Sequence, residues 1–493
     1  MRVPAMTDGR PRRAVARMLV ARLARFARER TVLVVSALAA LATVPFVPPD
    51  EAYLGYFDLK TLACLFGILA VVGALRGIGL FEHAARLLVA RFATCRSAVA
   101  ALVGSTLVLS MFATNDLALI MMLPLSAATL LKAGWERSLP FAFIMQNLAA
   151  NLGGMILPFG NPQNLYLYER FSIPLGDFLS VMALPFAVSV VLIALCCALF
   201  VKPDAPRATK KRAAEKRVAK DPREGAPSSR NGFACADATA SGAGTAMAPE
   251  AGAPTGAEAG AVSEAATVSE TARRAVPSQR TDVSRETSGP ERGRSAVRSD
   301  TPRDTPRIFS ARQLRTLAYA ALLALVIASV FRLVPYPVAV GAVVAALGVL
   351  DRRALKTVDW GLLLTFACFF VFAGNLARVP AVEAFFSYWM NESALLVGAG
   401  ASQIISNVPA AVLLSHFTDG YAPLLVGVSV GGAGTIVASL ASLITFNEYR
   451  IVRRGFPSRP ELARVTPGAY LARFTAYNAA FLAVLLLACA PFV

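Results

Sequence analysis

Charge is what this chain has least of. Asp, Glu, Lys and Arg make up 16% of its 493 residues, where a soluble globular domain carries about a quarter. Histidine is scarcer still: there are two, His83 and His416, and neither has a second ligand at a metal-binding spacing. The seven cysteines (64, 95, 196, 197, 235, 368, 489) form no CxxC pair, and six lie in or beside apolar runs. They read as small hydrophobes rather than metal ligands or disulfide partners. No GxxxxGK[ST] or HExxH stretch occurs, which leaves an intrinsic ATPase or a zinc-dependent intramembrane protease without its usual machinery. A soluble enzyme of ordinary kind is excluded, and nothing in the chain points to any enzyme.

What fills the chain instead is apolar. Hydrophobic residues make up 56%, and the mean hydropathy is +0.56. Runs such as 31–48, 178–201 and 316–334 approach or exceed the length of about 20 residues that a bilayer span requires. The fold class is an all-α polytopic membrane protein, whose first partner is the lipid bilayer. The net charge of +18 is spread in a way that excludes a nucleic-acid partner. Residues 1–30 hold nine Arg and two acids, 202–307 hold 19 bases and 14 acids, and the remaining excess lies mostly at the ends of apolar runs. That is a cytoplasmic-loop bias. It places the N-terminus on the cytoplasmic side of a cell (inner) membrane, with a retained first helix rather than a cleaved signal.

Residues 203–307 contain no Leu, Ile, Trp or Tyr and a single Phe, Phe233. Such a stretch cannot bury enough apolar surface to offset its ordering entropy, and it reads as a disordered cytoplasmic linker. The chain thus divides into a basic arm (1–30), a first hydrophobic half (31–202), the linker (203–307) and a second half (308–493). The halves repeat in ordered fragments. Residues 57–82 align with 358–383, pairing Asp58 with Asp359, Gly73 with Gly374 and Glu82 with Glu383. Thr114-Asn115-Asp116 aligns with Ser406-Asn407-Val408. Gly153-Gly154 and residues 160–165 align with Gly431-Gly432 and 438–443. Basic residues after 57–75 and before 357–378 put the paired segments into the membrane from opposite faces, which predicts an inverted-topology repeat. About nine full crossings are expected, with two re-entrant hairpins, 97–131 from the inner side and 393–418 from the outer. Two broken helices are expected at 138–169 and 421–449.

The hairpin tips and helix breaks carry the chemistry. Asn offers both a carbonyl and an amide, so Asn115 and Asn407 can ligate a cation or donate to an oxyanion. Pro158, Gly160 and Pro162 break the first long helix beside Asn161 and Asn164, freeing half-helix N-termini for anions and carbonyls for Na⁺. The competing reading is that these polar groups only satisfy each other between helices. Asp116 is open in the same way. A carboxylate at bilayer depth points to an ion or proton pathway, yet an acid there also caps the second hairpin arm. The paired glycines read as sites of close helix approach.

The ordered set ATNDLALIMMLPL (113–125), GGMILPFGNPQN (153–164) and SNVPAAVLL (406–414) resembles the ion-transporter superfamily. That group takes in citrate, dicarboxylate and arsenite permeases and some sodium–proton antiporters. The resemblance covers most of 50–490. It implies that Thr114, Asn115, Asp116, Asn161 and Asn164 in the first half bind substrate and ion, with Ser406, Asn407, Ser439 and Ser442 in the second. It implies Na⁺ at Asn115, Asn164 and Asn407 and a homodimer; Asp116, read from its depth, is the proton-coupling candidate, and no other metal or cofactor is expected. This chain departs from the dicarboxylate branch at Asp116 and Val408, where Thr would stand, and at 439–442, which lacks Pro and Asn. Its Asn-Asp pair is closer to the arsenite-pump and sodium–proton branches. The expectation is a secondary transporter of a small anion or oxyanion (di- or tricarboxylate, or arsenite), working by alternating access with Na⁺ or H⁺ as symporter or antiporter. A sodium–proton antiporter is the nearest alternative, followed by a channel or a membrane-embedded enzyme.

Overall fold

The computed structural model describes Arg22 and residues 30–79, 94–204, 311–457 and 459–492. Most of the basic arm, the linker from 205 onward, and Glu82 and His83 lie outside the described residues. The first half contributes α1 (Thr31–Thr43), α2 (Leu59–Gly77), α3 (Cys95–Phe112), α4 (Asn115–Ala133), α5 (Leu139–Gly153), α6 (Pro162–Arg170) and α7 (Leu175–Phe200). The second contributes α8 (Ala311–Val330), α9 (Tyr336–Leu350), α10 (Trp360–Ala377), α11 (Pro380–Ile405), α12 (Asn407–Leu414), α13 (Tyr421–Gly431), α14 (Leu440–Gly455) and α15 (Pro467–Cys489). Among the described residues there is no strand, and eight helices are long and apolar enough to cross a bilayer. The chain is a multi-pass, all-helical membrane protein. The central helix α5 is almost wholly enclosed, whereas α7, α8 and α15 turn most of their apolar surface outward, as lipid-facing helices do.

Local chemistry sets the helix ends. Asp58 caps α2 by accepting from Thr61 N at 3.0 Å, and its repeat partner Asp359 caps α10 by accepting from Leu362 N at 3.1 Å. Thr94 and Ser97 form a reciprocal capping box at the start of α3. Pro162 and Pro467 occupy first-turn positions, where the missing N–H costs nothing. Ala113 and Thr114 take extended conformations and separate α3 from α4. α11 leaves helical geometry at Ser393 (φ −164°, ψ 92°) and ends at Ser406.

α3 and α4 form a helical hairpin. Its base is closed by Cys95 Sγ donating to Ser138 Oγ at 3.2 Å, and Gly153 at the far end of α5 lies against Leu107 and Ser110, near the hairpin tip. The second half repeats the arrangement, with Gly431 at the end of α13 against Ala399 and Ser402. A Cβ on Gly153 would come within 2.7 Å of Ser110 Oγ, and one on Gly431 within 2.9 Å of Ser402 Oγ. Both glycines are therefore required by close approach. The C-terminal end of α6 reaches the base of the second hairpin, where Tyr166 and Ser415 hydroxyls are 2.8 Å apart and Phe171 faces Tyr421. The segment after α14 reaches the base of the first, where Arg459 pairs with Glu136 and Arg137 with Glu461 at 2.7 Å. Each hairpin base is thus tied to the other half of the chain.

Candidate functional site

The two tips and the two helix breaks converge on one buried polar centre. Asn151, in the last turn of α5, is its hub. The Asn151 side-chain carbonyl Oδ1 accepts from Asn115 Nδ2 at 3.0 Å and from Ser439 Oγ at 2.9 Å. Its backbone carbonyl accepts from Asn161 Nδ2 at 3.1 Å. A single residue therefore joins the first hairpin tip, the first break and the second break. On the other side, Ser406 Oγ donates to the Ala438 carbonyl at 3.2 Å, and Asn407 N donates to the same carbonyl at 3.0 Å. Ala438 precedes Ser439, so the second tip is tied into the same centre.

A second bridge crosses between the halves. Asn164 Nδ2 donates to the Met155 carbonyl at 3.0 Å, and Asn164 Oδ1 accepts from Ser429 Oγ at 2.8 Å. Ser442 Oγ accepts from Asn147 Nδ2 at 3.4 Å, and Thr445 Oγ1 donates to Asn147 Oδ1 at 3.3 Å. Gln403, three residues before the second tip, donates to the Gly431 carbonyl at 2.8 Å and accepts from Thr435 N at 2.8 Å. That pair of bonds clamps the second break to the hairpin.

The expected residues all reach this region. Thr114, Asn115, Asn161, Asn164, Asn407, Ser439 and Ser442 are buried, while Asp116 and Ser406 are half-buried. Thr114 stands at the N-cap of α4 without a side-chain capping bond. Asp116 lies in the first turn of α4, with its backbone N donating to Asn115 Oδ1 at 3.0 Å. A carboxylate in the first turn of a helix is favoured by the helix dipole. Asn147, Asn151, Gln403, Ser429 and Thr435 belong to the network although the tip and break motifs omit them. A signal for two of them lay in the repeat: the offset of 278 that pairs Gly153 with Gly431 pairs Asn151 with Ser429.

Chemically, the centre offers neutral donors and acceptors. Among the described residues, no buried side chain is Lys, Arg or His, and no three His, Cys, Asp or Glu side chains come together. The N-termini of α4, α6, α12 and α14 begin here, contributing partial positive charge. Such a site suits a small ligand held by hydrogen bonds and helix ends, or a cation held by amide and hydroxyl oxygens.

Residues 18–444 match the family described as citrate transporter. The chain is 26% identical over 416 residues to the inner membrane protein YbiR of Escherichia coli (strain K12), covering 83% of this chain and 85% of that protein. It is 42% identical over 99 residues to the uncharacterized transporter MJ0456 of Methanocaldococcus jannaschii, covering 20% of this chain and 28% of that one. A stretch of 146 residues is 32% identical to the silicon efflux transporter LSI3 of Oryza sativa subsp. japonica, 29% of each chain. The match spans both tips and both breaks, and on it this multi-pass membrane protein belongs to the citrate transporter family.

Proposed function

We propose that this chain is a secondary active transporter that moves a small carboxylate or oxyanion by alternating access, coupled to Na⁺ or H⁺. One observation carries the reading: two hairpin tips, one from each half of the chain, complete a single buried polar centre through Asn151 and Ala438. This geometry supports an inverted-topology repeat with both hairpins re-entrant. In an inverted repeat, each end of the bundle can open by the movement the other uses to close. Asn115, Asn161 and Ser439 then serve the first side of the site, and Ser406 and Asn407 the second. Asn164 and Ser442 hold the broken helices together across the halves, and Na⁺ is placed by the oxygens of Asn115, Asn164 and Asn407. The family description supports a carboxylate, and the nine Arg of the N-terminal arm support a cytoplasmic N-terminus in an inner membrane. A homodimer completes the proposal.

A second reading, a sodium–proton antiporter, is favoured by Asp116, the one acid of the site triplets. Uptake of labelled citrate, succinate and arsenite into proteoliposomes, under separate Na⁺ and proton gradients, decides between them. Gradient-driven carboxylate uptake that falls at least about tenfold in Asn115→Ala is the expected result, since a buried donor and its partner are lost together. Proton-linked Na⁺ movement without any uptake, abolished in Asp116→Asn, would establish the antiporter instead.

A further inference from the structure

The helices fall into two groups by what they touch. The polar centre gathers both hairpins with α5, α6, α13 and α14, and neither α2 nor α8 supplies a residue to its bonds. Those two helices pack on each other instead, with Gly67 of α2 against Val326 of α8. Gly374 of α10 lies against Tyr56, just before α2, and Asn375 donates to Thr43 of α1 at 2.9 Å. α1, α2, α8 and α10 thus form a frame beside the centre. Frame and centre meet in charge at the C-terminal end of α6. The Glu169 side chain is 3% exposed, with Lys60 Nζ of α2 2.6 Å from its Oε2 and Arg332 Nε, just after α8, 3.6 Å from the same oxygen. Arg332 also donates to the Tyr168 carbonyl at 2.9 Å and to the Ser172 carbonyl at 3.1 Å.

This contact is poorly built for a permanent fastening. A buried ion pair offsets its desolvation only when its oxygens are fully hydrogen-bonded, and an apolar pair of the same volume is often as stable. Here Glu169 Oε1 is buried and has no hydrogen bond. Ser172 and Arg332, which bond to each other, both hold positive φ, +49° and +63°, a conformation that costs free energy for any residue but glycine. Backbone strain of this kind gathers at switch regions. The pair Glu136–Arg459 differs, because it joins the base of the first hairpin to the segment after α14 and so stays within the group around the centre. We propose that Lys60, Glu169 and Arg332 form a latch that fastens α6 to the frame in this conformation and parts when α6 and the hairpins move past α2 and α8. The latch rests on the transporter reading above and adds to it the contact at which each cycle must break.

A water-soluble carbodiimide turns the ion pair into a bond that cannot open. It activates the Glu169 carboxyl, the Lys60 amine attacks the activated carbonyl, the reagent leaves as its urea, and an amide joins the two side chains with no atoms added. Proteoliposomes would be treated, the Lys60–Glu169 link read by mass spectrometry after digestion, and gradient-driven uptake of citrate, succinate and arsenite measured beside it. Uptake by the parent should fall at least about tenfold as the link approaches completion. Lys60→Arg keeps the charge but forms no such amide, so its uptake should survive the same treatment to within about twofold. Lys60→Gln, in which Arg332 still balances Glu169, should be equally resistant and keeps the test sharp if the Arg variant fails to fold. A linked parent that transports undiminished would show a permanent fastening and overturn the latch. Treated protein in which no link forms, or equal losses in parent and variants, would overturn it too, and all three results leave the transporter reading standing. An untreated parent that moves none of the three substrates under either gradient would overturn both.

Discussion

Ser406 holds a backbone conformation that L-residues avoid, with φ +76° and ψ 155°, while its counterpart Thr114 is relaxed at φ −58° and ψ 150°. The strained residue lies at the tip of the second hairpin and is kept there by its hydroxyl on Ala438 and by the Asn407 N–H on the same carbonyl. Positions of this kind cost about 1–3 kcal/mol and persist where their surroundings over-determine them. Ser406→Ala should lose the hydroxyl bond and keep the strain. Ser406→Gly should lose the same bond and release the strain, leaving the Gly variant about 1–3 kcal/mol more stable than the Ala variant. Thermal unfolding of the two purified variants in one detergent checks this, and equal midpoints would show that the tip is unstrained. At this scale the sequence was partly legible. Asn115, Asn407, Asn161 and Ser439 could be found because they recur in matched triplets and turns. Gln403 could not, because it stands alone in an apolar helix, and only folding brings it against Gly431 and Thr435.

Elements tell a similar story. Asp58 and Asp359, aligned in sequence, perform the same task at the start of α2 and α10. Replacing either by Ala should lower stability by about 1 kcal/mol, the usual worth of an N-cap. Asp359 also accepts from Arg30 Nη1 at 2.9 Å, but both groups are substantially exposed, so that pair adds little. A drop in unfolding midpoint for Asp58→Ala and Asp359→Ala, matched in size, is the expected result; an unchanged midpoint for both would remove the caps from the account. Helix existence was legible from apolar runs and punctuation by Pro and Gly. Helix ends were less so. The hairpin expected over 97–131 is built from helices running from Cys95 to Ala133, and the segment expected to close at 449 continues to Gly455. In the second case the apolar run stops at Glu448 and Arg450 while the backbone goes on, because the last turns need only one buried stripe, Tyr449 and Val452. Hydropathy reports where the bilayer ends, and a helix is free to outlast it.

At the scale of the whole molecule the halves are fastened to each other repeatedly. Asn151 meets Ser439 and Asn164 meets Ser429 at the centre. Lys60 Nζ lies 2.6 Å from Glu169, which Arg332 of the second half also approaches at 3.6 Å. Arg378 pairs with Asp50 at 2.6 Å. Proteolytic cleavage within 205–307 should therefore leave two fragments that co-elute in mild detergent; fragments that separate would show that the covalent connection, not packing, holds the halves. The Arg378 guanidinium also holds the Asp50 carboxyl below its ordinary value. A depressed folded value stabilises above the unfolded value of about 3.9 and is lost as pH falls through the folded one. Asp50→Asn should lower stability slightly at neutral pH, the pair being exposed, and flatten the acid limb by the same amount, so that parent and variant converge below about pH 4. The pairing of the two tips was legible because three matched fragments keep their order. The convergence of both tips on one hub was not, since Asn151 acquires its partners from segments up to 288 residues away. The proposed inverted repeat has an electrical consequence. On that proposal α4 and α12 run outward from the centre in opposite directions, as do α6 and α14, so their dipoles nearly cancel along the membrane normal. A transmembrane voltage then does little work on the helices themselves, and its grip, about 2.3 kcal/mol per charge per 100 mV, falls on the carboxylate of Asp116 and on whatever ions lie beside it. The steepness of transport against voltage becomes a count of those charges.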